Sequence, residues 1–201
     1  MPITSIYDTH PHVYEAVLLS ERGDVDAHVT SITGLFTEYD VPSDGVVLDI
    51  GCGTGVHLSA LSSTYTRIGV DIARGILTYG AETAQHSFTP IQGDMHTLPF
   101  QDSSVDVITC LYSTLNHVSS ASALQRVVRE WQRVLTPDGV IIVELTPCPA
   151  EHMDTGSESR DSFTVDTDAF SLTALQSSKI TTGELELETA YTITDTHGEF
   201  T

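Results

Sequence analysis

Lysine is almost missing from this chain: Lys179 is its only one. Lysine and arginine together number 8 against 28 aspartates and glutamates, a formal charge of -20 over 201 residues. That imbalance excludes a basic face for a phosphate backbone or an anionic lipid surface. Neither nucleic acid nor membrane is therefore expected as a partner. Long apolar runs are also lacking; none approaches the roughly 20 residues of a membrane-spanning helix. The polar N-terminus, with Asp8, His10 and His12, has no signal-peptide pattern, and a cytoplasmic protein is expected. Cysteines are few. Cys52, Cys110 and Cys148 are odd in number and without paired spacing, which excludes a disulfide framework and a zinc motif, so no metal is expected. Cys52 and Cys110 lie in apolar contexts and read as small core residues. There is no internal repeat and no low-complexity tract. The length suits one domain able to bury roughly 70% of its unfolded surface.

Glycine is concentrated at one place. The segment VVLDIGCGTG, Val46 to Gly55, runs from an apolar strand through Asp49 into Gly51, Gly53 and Gly55 at alternate positions. Without a Cβ, such a turn accepts positive φ and lets a ligand lie on the backbone. A strand, turn and helix of this kind at the carboxyl edge of a parallel sheet is a nucleotide site. The spacing is not that of a dinucleotide fingerprint, whose third glycine comes one residue later, and no P-loop lysine follows.

Alternation of short apolar strands with helical patterns continues along the chain. Helices are expected over 10–40, broken at Arg22-Gly23-Asp24, and over 56–63, 73–84 and 121–135. Strands are expected at 46–50, 67–70, 88–92, 105–111 and 140–145, with Gly139 ending the last helix. Continuous apolar strands imply a parallel sheet covered on both faces. Residues 147–161 read as a polar linker. Beyond it, 162–175 and 184–195 alternate apolar and polar, as antiparallel strands with one wet face. The expected divisions are 1–45, a helical lid; 46–146, the core; and 147–201, a linker and antiparallel region serving as acceptor cap or dimer contact.

Two more strand ends carry chemistry. Asp71, about twenty residues after the glycine turn, suits a pair of ribose hydroxyls; the spacing favours this over a mere cap for the helix that follows. Asp94 and Met95 close the third strand, an acceptor for an adenine amino group and an apolar surface for the ring.

Taken in order, VLDIGCGTG, GVDIARGIL, QGDMHTLPF, DSSVDVITC and LTPDGVIIVE resemble the class I S-adenosylmethionine-dependent methyltransferases over residues 46–146. The resemblance implies a Rossmann-like, mostly parallel α/β sheet with helices on both faces. It implies S-adenosylmethionine at the strand tips, leaving as S-adenosylhomocysteine. Cofactor contacts are implied at Asp49, Gly51, Cys52, Gly53, Gly55, Asp71, Ile72, Asp94, Met95 and Leu111. The segment Leu111 to Val118 and the C-terminal antiparallel strands resemble small-molecule N-methyltransferases, among them aminosugar N,N-dimethyltransferases and glycine N-methyltransferase. Tyr14 and Arg22 resemble that group's N-terminal closing segment. Its usual lysine and tyrosine are replaced here by Asp24-Val25-Asp26. The family sheet ends in two further strands that do not fit before Thr201. That edge is expected to be lost by truncation, dispensed with, or supplied by a second copy in a homodimer.

The expected function is in-line methyl transfer from the cofactor to N or O of a small-molecule acceptor. His117 and Tyr112 are the candidate catalytic residues, His117 reading equally well as a packing histidine. The other histidines, His57 and His96 among them, read as surface or loop residues. The alternative is a cofactor-binding domain without catalysis; a nicotinamide oxidoreductase is disfavoured by the glycine spacing. The acidic, lysine-poor composition also resembles proteins of halophilic archaea, whose salt screens self-repulsion.

Overall fold

The computed structural model of the chain describes residues 6–22, 24–83, 87–118 and 120–144, and the backbone of four strands between 158 and 199. It divides into two compact units, Met1–Thr146 and Pro147–Thr201.

In the first unit, helices α1 (Ile6–Thr9), α2 (Pro11–Arg22) and α3 (Val25–Glu38) precede the sheet. The break expected at 22–24 is where Asp24 caps α3, accepting from the backbone N–H of Asp26 and Ala27; a short acid there satisfies donors a helix start leaves unpaired. Strand β1 (Val46–Ile50), helix α4 (Val56–Ala60), β2 (Thr66–Asp71), α5 (Arg74–Glu82), β3 (Thr89–Gln92), β4 (Val105–Cys110), α6 (Ala121–Val134) and β5 (Leu135–Val143) follow. The five strands are parallel in the order β3-β2-β1-β4-β5. After β3 the chain crosses to the far side of β1. The resulting switch point lies between β1 and β4, where a doubly wound sheet opens a crevice at its carboxyl edge.

Strand period two sorts the core into two layers. Val47 and Val107 pack with Ile32 and Phe36 of α3, Leu58 of α4, and Ile76 and Leu77 of α5. Leu48, Ile50, Ile108 and Cys110 face the other way, onto Val127, Trp131 and Val134 of α6. Trp131 is 1% exposed; truncating a buried Trp costs about 3–5 kcal/mol. Arg133 on α6 ties the 98–102 loop to this layer, donating to the carbonyls of Leu98 and Phe100 and to Asp102.

Two boundaries differ from expectation. Helix α6 ends at Val134, and Leu135 is already extended and paired with Val105; pairing resumes at Val107↔Val140. The Thr-Pro-Asp-Gly turn is thus carried inside β5 instead of separating helix from strand. Gly139 does not cap the helix; a Cβ on it would come within 2.5 Å of Leu135 Cγ, so its bareness makes room for that side chain. Helix α4 is also shorter than expected, ending where Leu61 turns extended.

In the second unit, β6 (Glu158–Asp166), β7 (Phe170–Thr181), β8 (Glu184–Asp195) and β9 (Gly198–Glu199) form an antiparallel sheet in that order. The expected linker ends earlier, since β6 begins at Glu158. The alternation read as one strand over 162–175 is two. Asp166 pairs with Ser171, where the antiparallel ladder of β6 and β7 ends. Cys148 lies outside the described residues.

Candidate functional site

All three glycines after β1 have positive φ: Gly51 at 71°, Gly53 at 57° and Gly55 at 78°. The N–H groups of Gly51 and Cys52 donate to the Val70 carbonyl at 2.7 and 3.2 Å, binding the turn to the end of β2. Each glycine is bare for its own reason. A Cβ on Gly51 would come within 2.2 Å of Thr114, and one on Gly55 within 2.2 Å of the Phe88 ring. At Gly53 the nearest atoms would be Ile76 and Tyr14, at 3.5 and 3.7 Å, an ordinary contact, so it is the positive φ and not a clash that favours glycine here.

Three strand-tip carboxylates sit in three environments. Asp49 is 3% exposed and accepts from the Thr109 hydroxyl at 2.7 Å. Burial pushes its carboxyl up to about 7, against the Thr109 hydrogen bond and with the help of the nearby Asp71 charge. Asp71 at the tip of β2 is held at both oxygens: Oδ2 accepts from Gly53 N–H at 3.0 Å and Oδ1 from Ala73 N–H at 2.9 Å. Burial raises its pKa and these backbone bonds oppose the rise. Asp71 therefore does brace the start of α5, and the glycine turn as well. A carboxylate offers about four lone-pair sites, so this bracing still leaves capacity for a ligand hydroxyl. Asp94 is more open. It accepts from the His96 backbone N–H at 2.9 Å and pairs with His96 Nδ1 at 2.6 Å; these bonds hold its carboxyl below the ordinary range.

A cavity of about 490 Å³ opens over these tips, within the usual size of a small-molecule site. Gly51, Gly53, Asp71, Ile72, Asp94, Met95, Tyr14, Tyr112 and His117 all line it. Ile72, 71% exposed, presents an apolar side chain at its edge. A chamber of about 20 Å³ adjoins it. Asp49, Cys52, Leu111 and His57 line the chamber, which shares Tyr14, Gly51, Gly53, Tyr112 and Thr114 with the cavity. Gly55 lines neither, its Cα facing Phe88 instead. The Arg22 side chain lies outside the described residues. Among the described residues, no lysine or arginine lines either space.

Of the two histidines expected at surface or loop positions, His57 corrects the expectation, whereas His96 lies on a turn. His57 is 7% exposed, and its imidazole is brought down to about 4 by burial and then by neighbouring His28. His96 lines the cavity itself. Tyr7 and Asp8 of α1 were missed as lining residues. Asp8 Oδ1 accepts from Gly75 N–H at 2.8 Å, and Tyr7 meets Tyr14 edge-on at 4.8 Å. Contacts across 67 residues leave no local pattern to read.

Residues 47–139 match the family described as a methyltransferase domain. This segment is similar to methyltransferase domains. Over 154 residues, 75% of the chain, it is 27% identical to dTDP-4-amino-2,3,4,6-tetradeoxy-D-glucose N,N-dimethyltransferase of Saccharopolyspora spinosa. Over 62% of the chain it is 31% identical to demethylmenaquinone methyltransferase of Staphylococcus saprophyticus. It spans 60% of the first relative's length and 54% of the second's. In fold it resembles DesVI of Streptomyces venezuelae, with TM-score 0.75 and 24% identity, over 92% of this chain and 77% of that one.

Proposed function

We propose that this domain binds S-adenosylmethionine across the strand tips and methylates an amino group of a small-molecule acceptor, aminosugars being the favoured class. The observation that carries this is a cavity walled by Asp8, Asp71 and Asp94, with Asp49 in the adjoining chamber and no described cation on its lining. Such walls favour a ligand bearing a sulfonium and an ammonium, and disfavour the paired phosphates of a dinucleotide.

The residues present fit that cofactor. Asp71, its oxygens fixed by Gly53 and Ala73, would hold the ribose hydroxyls. Ile72 and Met95 would flank the adenine, with Asp94 at its amino group. Gly51 and Gly53, both on the cavity lining, would lie against the amino-acid end, with Asp49, Cys52 and Leu111 beneath. When bound, the cofactor supplies a methyl group already activated by positive charge on sulfur. The protein's task is then chiefly orientation, which can contribute ~7–11 kcal/mol. On this reading the helices before β1 serve as the cover of the site through Tyr7, Asp8 and Tyr14, which line the cavity. His117, exposed and on the cavity wall, would accept a proton from the acceptor, with Tyr112 as the second candidate.

Support for an amine comes from the acidic walls, and for a sugar from the aminosugar dimethyltransferases among the relatives. The test is incubation of the full chain with S-adenosylmethionine and a panel of aminosugars, simple amines, phenols and quinols, read by mass spectrometry. Methyl addition to nitrogen is expected. Methylation of phenols or quinols alone would overturn the acceptor class, and cofactor binding without turnover on any of them would overturn the enzyme.

A further inference from the structure

Away from the strand-tip carboxylates, four side chains meet where α3, α4 and the end of β4 converge. His57 Nε2 on α4 lies 2.9 Å from the Tyr112 hydroxyl and 3.3 Å from His28 Nδ1 on α3. His28 Nδ1 is 3.1 Å from the same hydroxyl. At the other end of the tyrosine, the Tyr112 backbone N–H donates to Glu144 Oε2 at 3.0 Å, and Ser113 N–H donates to the Glu144 carbonyl at 3.1 Å. The circuit closes at His28 Nε2, 3.8 Å from Glu144 Oε2.

This scaffold surrounds a strained turn. Tyr112 and Ser113 are consecutive left-handed residues, at φ 48° and 62°. Side chains with a Cβ stay in that region only where their surroundings over-determine them, and such residues gather at functional sites. Tyr112 also lines both the large cavity and the chamber beside the glycine turn. Its ring therefore stands between them, gripped at the hydroxyl by two imidazoles and at the backbone by Glu144.

We propose that His57, supported by His28, is a positioning residue that acts through Tyr112, fixing its ring as the wall against which the amino-acid end of the cofactor is held. This rests on the cofactor assignment above. His57 stays neutral over the ordinary pH range, so its Nε2 can accept the phenolic proton. His28, which faces Glu144, supplies the second contact. Neither histidine touches the reacting atoms.

Calorimetry on the full chain, in wild type and in the His57→Phe, Tyr112→Phe and double variants, tests this with two ligands. S-adenosylhomocysteine carries the amino-acid end and methylthioadenosine lacks it. Each single variant should bind S-adenosylhomocysteine roughly tenfold more weakly, the scale of one hydrogen bond at a buried site. The double variant should be no weaker than the worse single, because both remove one contact. Affinity for methylthioadenosine should not move. His28→Ala, on the more exposed partner, should show the same pattern with a smaller loss, and it keeps the test open if His57→Phe does not fold. Unchanged S-adenosylhomocysteine binding, losses that multiply in the double variant, or an equal fall for methylthioadenosine would each overturn the positioning role. A wild type that binds neither ligand would overturn the cofactor assignment itself, and this role with it.

Discussion

The tips of β1 and β2 are neighbours in one sheet, paired at Asp49↔Gly69 and Ile50↔Val70, yet their aspartates live under different rules. Asp49 is sealed, its one described side-chain bond coming from Thr109. Its charged form is disfavoured by burial. Asp71 is held by two backbone N–H groups and borders open space. The first is a structural acid beneath the glycine turn that would meet a ligand's positive end only at short range. The second is an acceptor aligned before any ligand arrives, and preorganised acceptors lose little on binding. If the proposed cofactor reading holds, the same residue type, one strand apart, divides into support and recognition according to what surrounds it.

That contrast can be broken first at Asp71. Asp71→Ala removes acceptors worth about 1.5–3 kcal/mol for each charge-assisted bond. S-adenosylmethionine affinity should fall at least about a hundredfold, read by calorimetry on a variant whose circular dichroism matches the wild type. Asp49→Asn acts on stability instead. The folded carboxyl, near 7 against an ordinary 3.8, keeps its proton where the unfolded chain has lost it. Wild-type stability therefore falls as pH rises from about 4 to about 7, at roughly 1.4 kcal/mol per unit of difference. Denaturant melts of Asp49→Asn should lose much of this slope and show a more stable ligand-free protein at pH 8; an unchanged slope would place the acid in a wetter setting. Gly51→Ala comes next, with a cost of about 1–3 kcal/mol for the left-handed backbone and the Thr114 contact. Its melting temperature should drop, and Thr114→Ser should recover part of the loss. The smallest effect is expected at Asp94. It is the most open of the three acids and already engaged by His96, so Asp94→Ala should weaken cofactor binding less than about tenfold.

What could be read from the chain is what is local. Val46 to Gly55 declares a strand, an acid and a turn within ten residues, and β1 and the three positive-φ glycines follow it. Asp71 and the Asp94-Met95 pair end short apolar runs at the spacing expected of neighbouring strand tips. What escaped depends on distant residues. Gly55 looks like its two companions until Phe88 is seen beside it. His57, in a polar-looking segment, becomes a buried histidine only through His28 and Tyr112, 29 residues before it and 55 after it. The start of β5 was hidden because the Thr-Pro-Asp-Gly signal marks a turn without saying that Leu135 has already joined the sheet.

The most direct test of the account is a calorimetric titration of the wild-type chain with S-adenosylmethionine, with NADH run alongside. A saturable one-to-one isotherm is expected for S-adenosylmethionine, and no heat of binding for NADH, whose phosphates would face the acidic walls. Binding of NADH, with S-adenosylmethionine silent, would contradict it.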